Sequence, residues 1–159
     1  MKIAIYPGSF DPVTKGHLDI LHTASEIFDK VIIAVARNPE KQGFLPVDVR
    51  VKLIEESVKE IQNVEVDYFE GLTINYAHKK RASVLIRGLR AVSDFEYEMQ
   101  LSQANSALAS DVKTVFLTTK PKYNFISSSA IKEIFLNKGD ISKFVPEPVN
   151  EYLQNSYKC

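Results

Sequence analysis

Three short segments of this chain carry side chains suited to handling phosphate. The first runs from Tyr6 to His17, Tyr-Pro-Gly-Ser-Phe-Asp-Pro-Val-Thr-Lys-Gly-His. Ser9 and His17 are side-chain donors, and Gly8 and Gly16 lack the Cβ that keeps backbone away from a ligand. The second is Arg87-Gly88-Leu89-Arg90, with two guanidinium groups around a glycine. Arginine matches phosphate with paired N–H groups, which makes it the preferred side chain for bidentate recognition. A plainer reading is a structural ion pair with Asp94, Glu96 or Glu98 on the following segment. The third is Ser127-Ser128-Ser129, just ahead of an apolar periodic stretch. One serine is expected to cap a helix. Three hydroxyls exceed that need, and with the helix-start N–H groups they could hold a triphosphate. Lys41 adds a flexible ammonium in a polar loop, where a solvated lysine is the usual outcome.

The elements that would position these groups follow from periodicity. Ile3–Tyr6 is apolar and breaks at Pro7-Gly8; from Leu18, apolar residues recur on one helical face through Leu21 and Phe28. Strand, glycine-bearing loop and helix start form an anion site, because the first N–H groups of a helix are unpaired and its dipole is positive there. Lys30–Ala36 is continuous and β-branched, as in a strand covered on both faces. Pro46 can open the next helix, whose stripe is Val47, Val51, Ile54, Val58 and Ile61. Val64–Tyr68 alternates apolar with charged, as at a sheet edge.

Gly71 is expected to start a short helix, and Ser83–Ile86 forms a strand ending at Arg87-Gly88. Ser93-Asp-Phe-Glu96 reads as a capping box opening a helix to about Ala109. Val112–Thr118 is a fifth strand, Ser127–Ser129 lead into a helix, and two short helices near Asp140–Phe144 and after Pro148 close the chain. This alternation predicts an α/β fold, a doubly wound five-stranded parallel sheet of Rossmann-like form. With strand order 3-2-1-4-5, the loops Gly8–His17 and Arg87–Arg90 face each other across the switch-point crevice. There the arginines are better read as phosphate ligands.

At 159 residues the chain is expected to be one domain, 1–159. Twenty basic and twenty acidic residues balance, which argues against a general nucleic-acid binder and confines anion recognition to local sites. A single cysteine, Cys159, excludes a disulfide framework and suits a reducing cytoplasm. Neither a signal segment nor a membrane-length apolar run is present, so a soluble cytoplasmic protein is expected.

Thr14-Lys15-Gly16-His17 resembles the Thr-x-Gly-His signature of nucleotidylyltransferases. Together with Leu85-Ile-Arg-Gly-Leu-Arg-Ala91, Asp94-Phe-Glu-Tyr-Glu-Met-Gln-Leu101 and Phe125-Ile-Ser-Ser-Ser129, the whole chain resembles bacterial phosphopantetheine adenylyltransferases. The resemblance implies adenylyl transfer from ATP to phosphopantetheine, giving dephospho-coenzyme A and pyrophosphate, with Mg2+ carried in on ATP and a homohexameric assembly. It implies that Ser9, Phe10, His17, Gly88, Leu89, Arg90, Glu98 and Tyr123, Asn124, Phe125, Ile126, Ser127, Ser128 and Ser129 hold ATP. Ser9, Lys41, Thr73 and Arg87 would hold phosphopantetheine. His17, Lys41 and Arg90 would be the catalytic groups, with no protein metal ligands. The chain departs from the family pattern at Thr73, where a larger apolar residue is expected, and near Asn124, since it has no tryptophan at all.

The implied mechanism is direct. Phosphopantetheine's phosphate attacks the α-phosphorus in line with departing pyrophosphate, without a covalent enzyme intermediate or a general base. Two alternatives stay open. A nicotinate-mononucleotide adenylyltransferase or small cytidylyltransferase would share Thr-x-Gly-His but lack Arg87-Gly-Leu-Arg90 followed by Asp94-Phe-Glu-Tyr-Glu98. A non-catalytic ATP-binding regulator would have no reason to keep His17 and Lys41 together.

Overall fold

A computed structural model describes residues 1–157, except the side chains of Val92 and Ser93. Cys159 lies outside the described residues. Strand β1 (Ile3–Gly8) occupies the centre of a five-stranded sheet. It pairs in parallel with β2 (Lys30–Ala36) on one side and β4 (Val84–Leu89) on the other. The edges are β3 (Val64–Phe69), paired with β2, and β5 (Lys113–Thr118), paired with β4. The order is thus 3-2-1-4-5, all parallel, with the reversal between β2 and β4 at β1.

Residue pattern explains the layering. Side chains alternate across a strand, so each apolar strand feeds two cores. Ala4, Tyr6, Val31, Ile33 and Ile86 pack beneath α1 (Lys15–Ile27), α2 (Val47–Val58), α5 (Ser128–Leu136) and α6 (Glu147–Ser156). Ile5, Ile32, Ala34 and Leu85 pack on the opposite face against α3 (Thr73–Lys79). Helix α4 (Val92–Leu108) follows β4. Among the described residues, no helix is long and apolar enough to cross a membrane.

Three expectations need correction. Strand β4 does not stop before Arg87; it runs to Leu89, with Arg87 opposite Phe116 and Gly88 opposite Leu117. A charged residue can continue the strand because Glu98 and the Pro7 carbonyl satisfy its guanidinium. Helix α4 starts at Val92 with Ala91 in the cap position, so Ser93 is already inside the helix and is not its N-cap. The extended chain leaving β4 sets that start, with Ala91 at φ −137° and ψ 165°. Residues 142–144 form a turn, and no helix forms over 140–144. Pro146 follows within two residues and cannot supply the N–H that would propagate one. Helix α6 instead begins at Glu147 and places Pro148 in its first turn, where the missing donor is no loss.

Candidate active site

The carboxyl ends of β1 and β4 open onto a crevice of about 350 Å³. Its floor is Tyr6 to Phe10, one wall is the start of α1, another is Arg87, Gly88 and Arg90, and the far wall is Ile126 to Ser129 at the start of α5. Gly88 lets its wall lie close to α1, since a Cβ there would come to 3.2 Å from Ile20 and Ile20 would have to give way. Gly8 plays a different part from the one its sequence suggests. The space a Cβ would take is filled by the Phe10 ring, at 3.0 Å.

Helix α1 begins with a reciprocal capping box. Thr14 is the N-cap, and its Oγ1 accepts from the His17 N–H at 3.3 Å. The His17 Nδ1 accepts in return from the Thr14 N–H at 3.0 Å. Capping and catalytic candidacy therefore fall on the same histidine. Because Nδ1 is an acceptor, the ring proton is assigned to Nε2. Edge-to-face contact with Phe10, at 5.0 Å between centroids, braces the ring, and Phe10 in turn meets Tyr6 at 5.2 Å. Burial of the ring, helped by the positive charge of Arg90, lowers the His17 pKa from 6.5 to about 4. His17 is a neutral hydrogen-bond donor at physiological pH. Burial also pushes the Tyr6 hydroxyl well above the ordinary tyrosine range, against the partly offsetting charges of Arg87 and Arg90.

Both arginines have protein partners, so the structural reading and the ligand reading coexist. Glu98 holds Arg87 in a bidentate pair, from Nε and Nη2, each at 2.7 Å, and the Pro7 carbonyl accepts from Nη1 at 3.2 Å. Burial opposes the charged guanidinium, but the bonds and charge of Glu98 outweigh it and raise the Arg87 pKa. A guanidinium has five N–H groups, so Arg87 keeps two for a ligand. Arg90 pairs with Asp94 at 3.4 Å and donates from Nη1 to the Ile126 carbonyl at 2.8 Å. Glu98 thus reaches the crevice as the group that orients Arg87.

The three serines divide their tasks. Ser127 is the cap of α5, accepting from the Ala130 N–H at 3.1 Å. Ser128 donates to the Pro12 carbonyl at 2.8 Å and so ties this helix to the first loop. Ser129 is exposed on the crevice wall. The start of α5 presents N–H groups and a positive dipole end to the crevice, as an anion requires.

Other sequence candidates stand apart. Lys41 is exposed and lines an open groove with Arg37, Phe44 and Tyr68, outside the crevice. Thr73 lines a smaller cavity of about 150 Å³ with Leu72, Ile74 and Asn105. Pro7 and Arg87 line that cavity and the main crevice alike. Leu89 ends β4 half-buried. Tyr123, Asn124 and Phe125 form a strap leading to Ile126, with Phe125 exposed and edge-on to Phe144 at 5.7 Å.

Some positioning groups escaped the sequence. Asp19, buried on α1, accepts from the Lys120 N–H at 2.8 Å and anchors the approach to that strap. Asp11 and Arg50 join the first two loops. Neither type nor spacing signalled a pair 39 residues apart in the chain.

The sequence matches the cytidylyltransferase-like family over residues 5–134. The phosphopantetheine adenylyltransferase of Caldanaerobacter subterraneus subsp. tengcongensis is 51% identical over 158 residues, covering 99% of both chains. That of Alkaliphilus metalliredigens is 54% identical over 149 residues, 94% of this chain and 95% of its own.

The chain belongs to the phosphopantetheine adenylyltransferase family.

A solved structure from Vibrio parahaemolyticus superposes with a TM-score of 0.75 at 21% identity, covering 98% of this chain and 100% of that one. At that identity it speaks for the fold. In this family member the histidine's cap bond and its donor tautomer are the same feature.

Proposed function

We propose that this chain transfers the adenylyl group of ATP to phosphopantetheine, releasing pyrophosphate and dephospho-coenzyme A in the penultimate step of coenzyme A biosynthesis, in the cytoplasm. The relatives' names support the acceptor. The observation that supports the chemistry is His17, held neutral with its Nε2–H available between the arginine-bearing strand end and the N-terminus of α5.

The acceptor phosphate, already anionic, needs no general base. It attacks the α-phosphorus in line with departing pyrophosphate, so the protein's work is positioning and charge stabilisation. His17 donates from Nε2 to the α-phosphate. A neutral donor stabilises developing oxygen charge without losing its proton to it. Arg90, Ser129 and the backbone N–H groups at the start of α5 hold the leaving pyrophosphate. Arg87 holds the acceptor's phosphate, and the adjoining cavity lined by Thr73, Leu72 and Ile74 accommodates the pantetheine arm. Lys41 approaches from the second loop to bridge nucleophile and α-phosphate. Phe10 braces His17 from behind, and Ser9, Gly88, Leu89 and residues 123–126 frame the nucleotide.

A divalent metal accompanies ATP in such reactions, and Mg2+ bound to the triphosphate is the proposed form. The described residues contain no cluster of His, Cys, Asp and Glu suited to a resident ion. Assembly as a homohexamer is also proposed. Phe95, Tyr97 and Leu108 of α4 are exposed, together with neighbouring Leu72, an apolar set that subunit contacts would cover. Light scattering at micromolar concentration should give six times the chain mass; a monomer would refute the assembly.

Pyrophosphate release tests the activity. With MgATP it should require phosphopantetheine. Release with nicotinate mononucleotide or glycerol phosphate instead would keep the superfamily chemistry and overturn the acceptor. ATP binding without release would leave a regulator.

A further inference from the structure

The loop after β1 lines the crevice, the loop after β2 lies outside it, and a single clasp joins the two. The Asp11 carboxylate accepts from the Phe44 N–H at 2.6 Å and from the Leu45 N–H at 2.7 Å. Arg50, only 6% exposed, lies 3.7 Å from that carboxylate and donates to the Leu45 carbonyl at 2.8 Å and the Ser9 carbonyl at 3.1 Å. One carboxylate and one guanidinium thus fix Ser9–Asp11 to Phe44–Leu45. A half-buried carboxylate is stable here because its oxygens meet two N–H donors and a cation.

Lys41 stands three residues before Phe44, on the span between this clasp and the end of β2. The far end of the span is also tied, by the Arg37 N–H to the Phe69 carbonyl at 2.8 Å and by the Arg37–Glu70 ion pair at 2.9 Å. Within it, the Glu40 N–H donates to Asn38 Oδ1 at 3.0 Å. Lys41 itself makes no side-chain bond to the protein among the described residues, so only its backbone determines where its ammonium can reach.

We propose that Asp11 and Arg50 are positioning residues for the reaction: their clasp sets the Lys41 loop against the Ser9–His17 loop and so determines the reach of the Lys41 ammonium to the reacting phosphates. This rests on the adenylyl-transfer reading and on Lys41's place in it. Gly43 is the tightest point of the device. A Cβ there would run into the Asp11 carboxylate and the Arg50 guanidinium, so any other residue at this position must displace the clasp.

The test is a double-mutant cycle read by pyrophosphate release on the full chain. Lys41→Met alone establishes whether Lys41 contributes. If it leaves kcat unchanged, the role given to Lys41 fails, and the clasp with it, while phosphopantetheine-dependent turnover still stands on its own. Asp11→Asn keeps size but removes the charge and one acceptor. It should lower kcat by about 100-fold, as expected for a misplaced catalytic group. The KM for ATP should stay within about threefold, because His17, Arg90 and the start of α5, which hold the nucleotide's phosphates, lie outside the clasp.

In the Lys41→Met background the same Asp11→Asn change should lower kcat less than about threefold, since the group it positions is gone. Full additivity would overturn the proposal. Gly43→Ala, which displaces the clasp without changing its charge, should reproduce the kcat loss and the same non-additivity; wild-type kcat in a folded Gly43→Ala protein would also overturn it. Should Asp11→Asn fail to fold, Gly43→Ala carries the cycle alone. Arg50→Lys, which keeps the charge but loses the fork to Ser9 and Leu45, should recover only part of the rate lost in Arg50→Ala. Full recovery would show that charge alone suffices and would refute the clasp geometry.

Discussion

Replacing His17 by alanine separates its two roles, cap and donor. The donor role carries the larger effect. One preorganised hydrogen bond to a developing oxyanion is worth about 100- to 1000-fold in kcat, or about 3–4 kcal/mol. The cap role is smaller, about 1 kcal/mol of stability, because Thr14 Oγ1 still accepts from the residue-17 backbone and only the reverse bond from Thr14 N–H to Nδ1 is lost. The protein should therefore fold while losing nearly all turnover.

The ionisation of His17 gives an independent readout. Its folded pKa, about 4, lies below the ordinary 6.5, so between these values the unfolded chain binds the extra proton. The stability associated with neutral His17 is complete above pH 6.5 and is lost as pH falls toward 4, bounded at about 3 kcal/mol. Urea unfolding at pH 7.5 and 5 should show this loss in the wild type and a smaller one in His17→Ala. Pyrophosphate release against pH should show no inflection from His17 near 6.5. A kcat within about threefold of wild type in folded His17→Ala, or an inflection near 6.5 that the substitution abolishes, would refute the neutral-donor role.

Other perturbations discriminate the neighbouring roles. Glu98→Ala leaves Arg87 without its bidentate partner; it should destabilise by about 3 kcal/mol in urea unfolding and raise the KM for phosphopantetheine more than that for ATP. Equal changes in both KM values would remove Arg87 from the acceptor side. Ser127→Ala should lower stability by about 1 kcal/mol through loss of the α5 cap. Ser129→Ala should leave the melting temperature unchanged and raise the KM for ATP, and the reverse pattern would exchange their assignments.

The contrast between β2 and β3 made the sheet order legible. A continuous Val-Ile-Ile-Ala-Val run belongs in the sheet interior and an alternating Val-Glu-Val-Asp-Tyr run at its edge, and the structure has them there. The crevice followed from that order, because it placed the loops after β1 and β4 side by side. Side-chain pairing over long separations was not legible. The Arg87–Glu98 and Arg90–Asp94 pairs, by contrast, were legible because those carboxylates follow on the next helix, whereas the continuation of β4 through Arg87 was not. The Ser93 motif was a valid local cap signal, but the exit geometry of β4 started α4 earlier. The reach of Lys41 was invisible because the half-buried Asp11 and the buried Arg50 fix its loop from outside it. Local chemistry thus supplied the candidate phosphate-handling residues, while their mutual placement depended on contacts that no spacing rule encodes.

Stereochemistry at the α-phosphorus tests the central claim most directly. One diastereomer of adenosine 5′-O-(1-thiotriphosphate), incubated with Mg2+, phosphopantetheine and this protein, should yield thio-substituted dephospho-coenzyme A with inverted configuration. Inversion is the mark of a single in-line displacement by the acceptor phosphate. Retention would require an enzyme-bound adenylyl intermediate, and no transfer to phosphopantetheine would contradict the proposed activity itself.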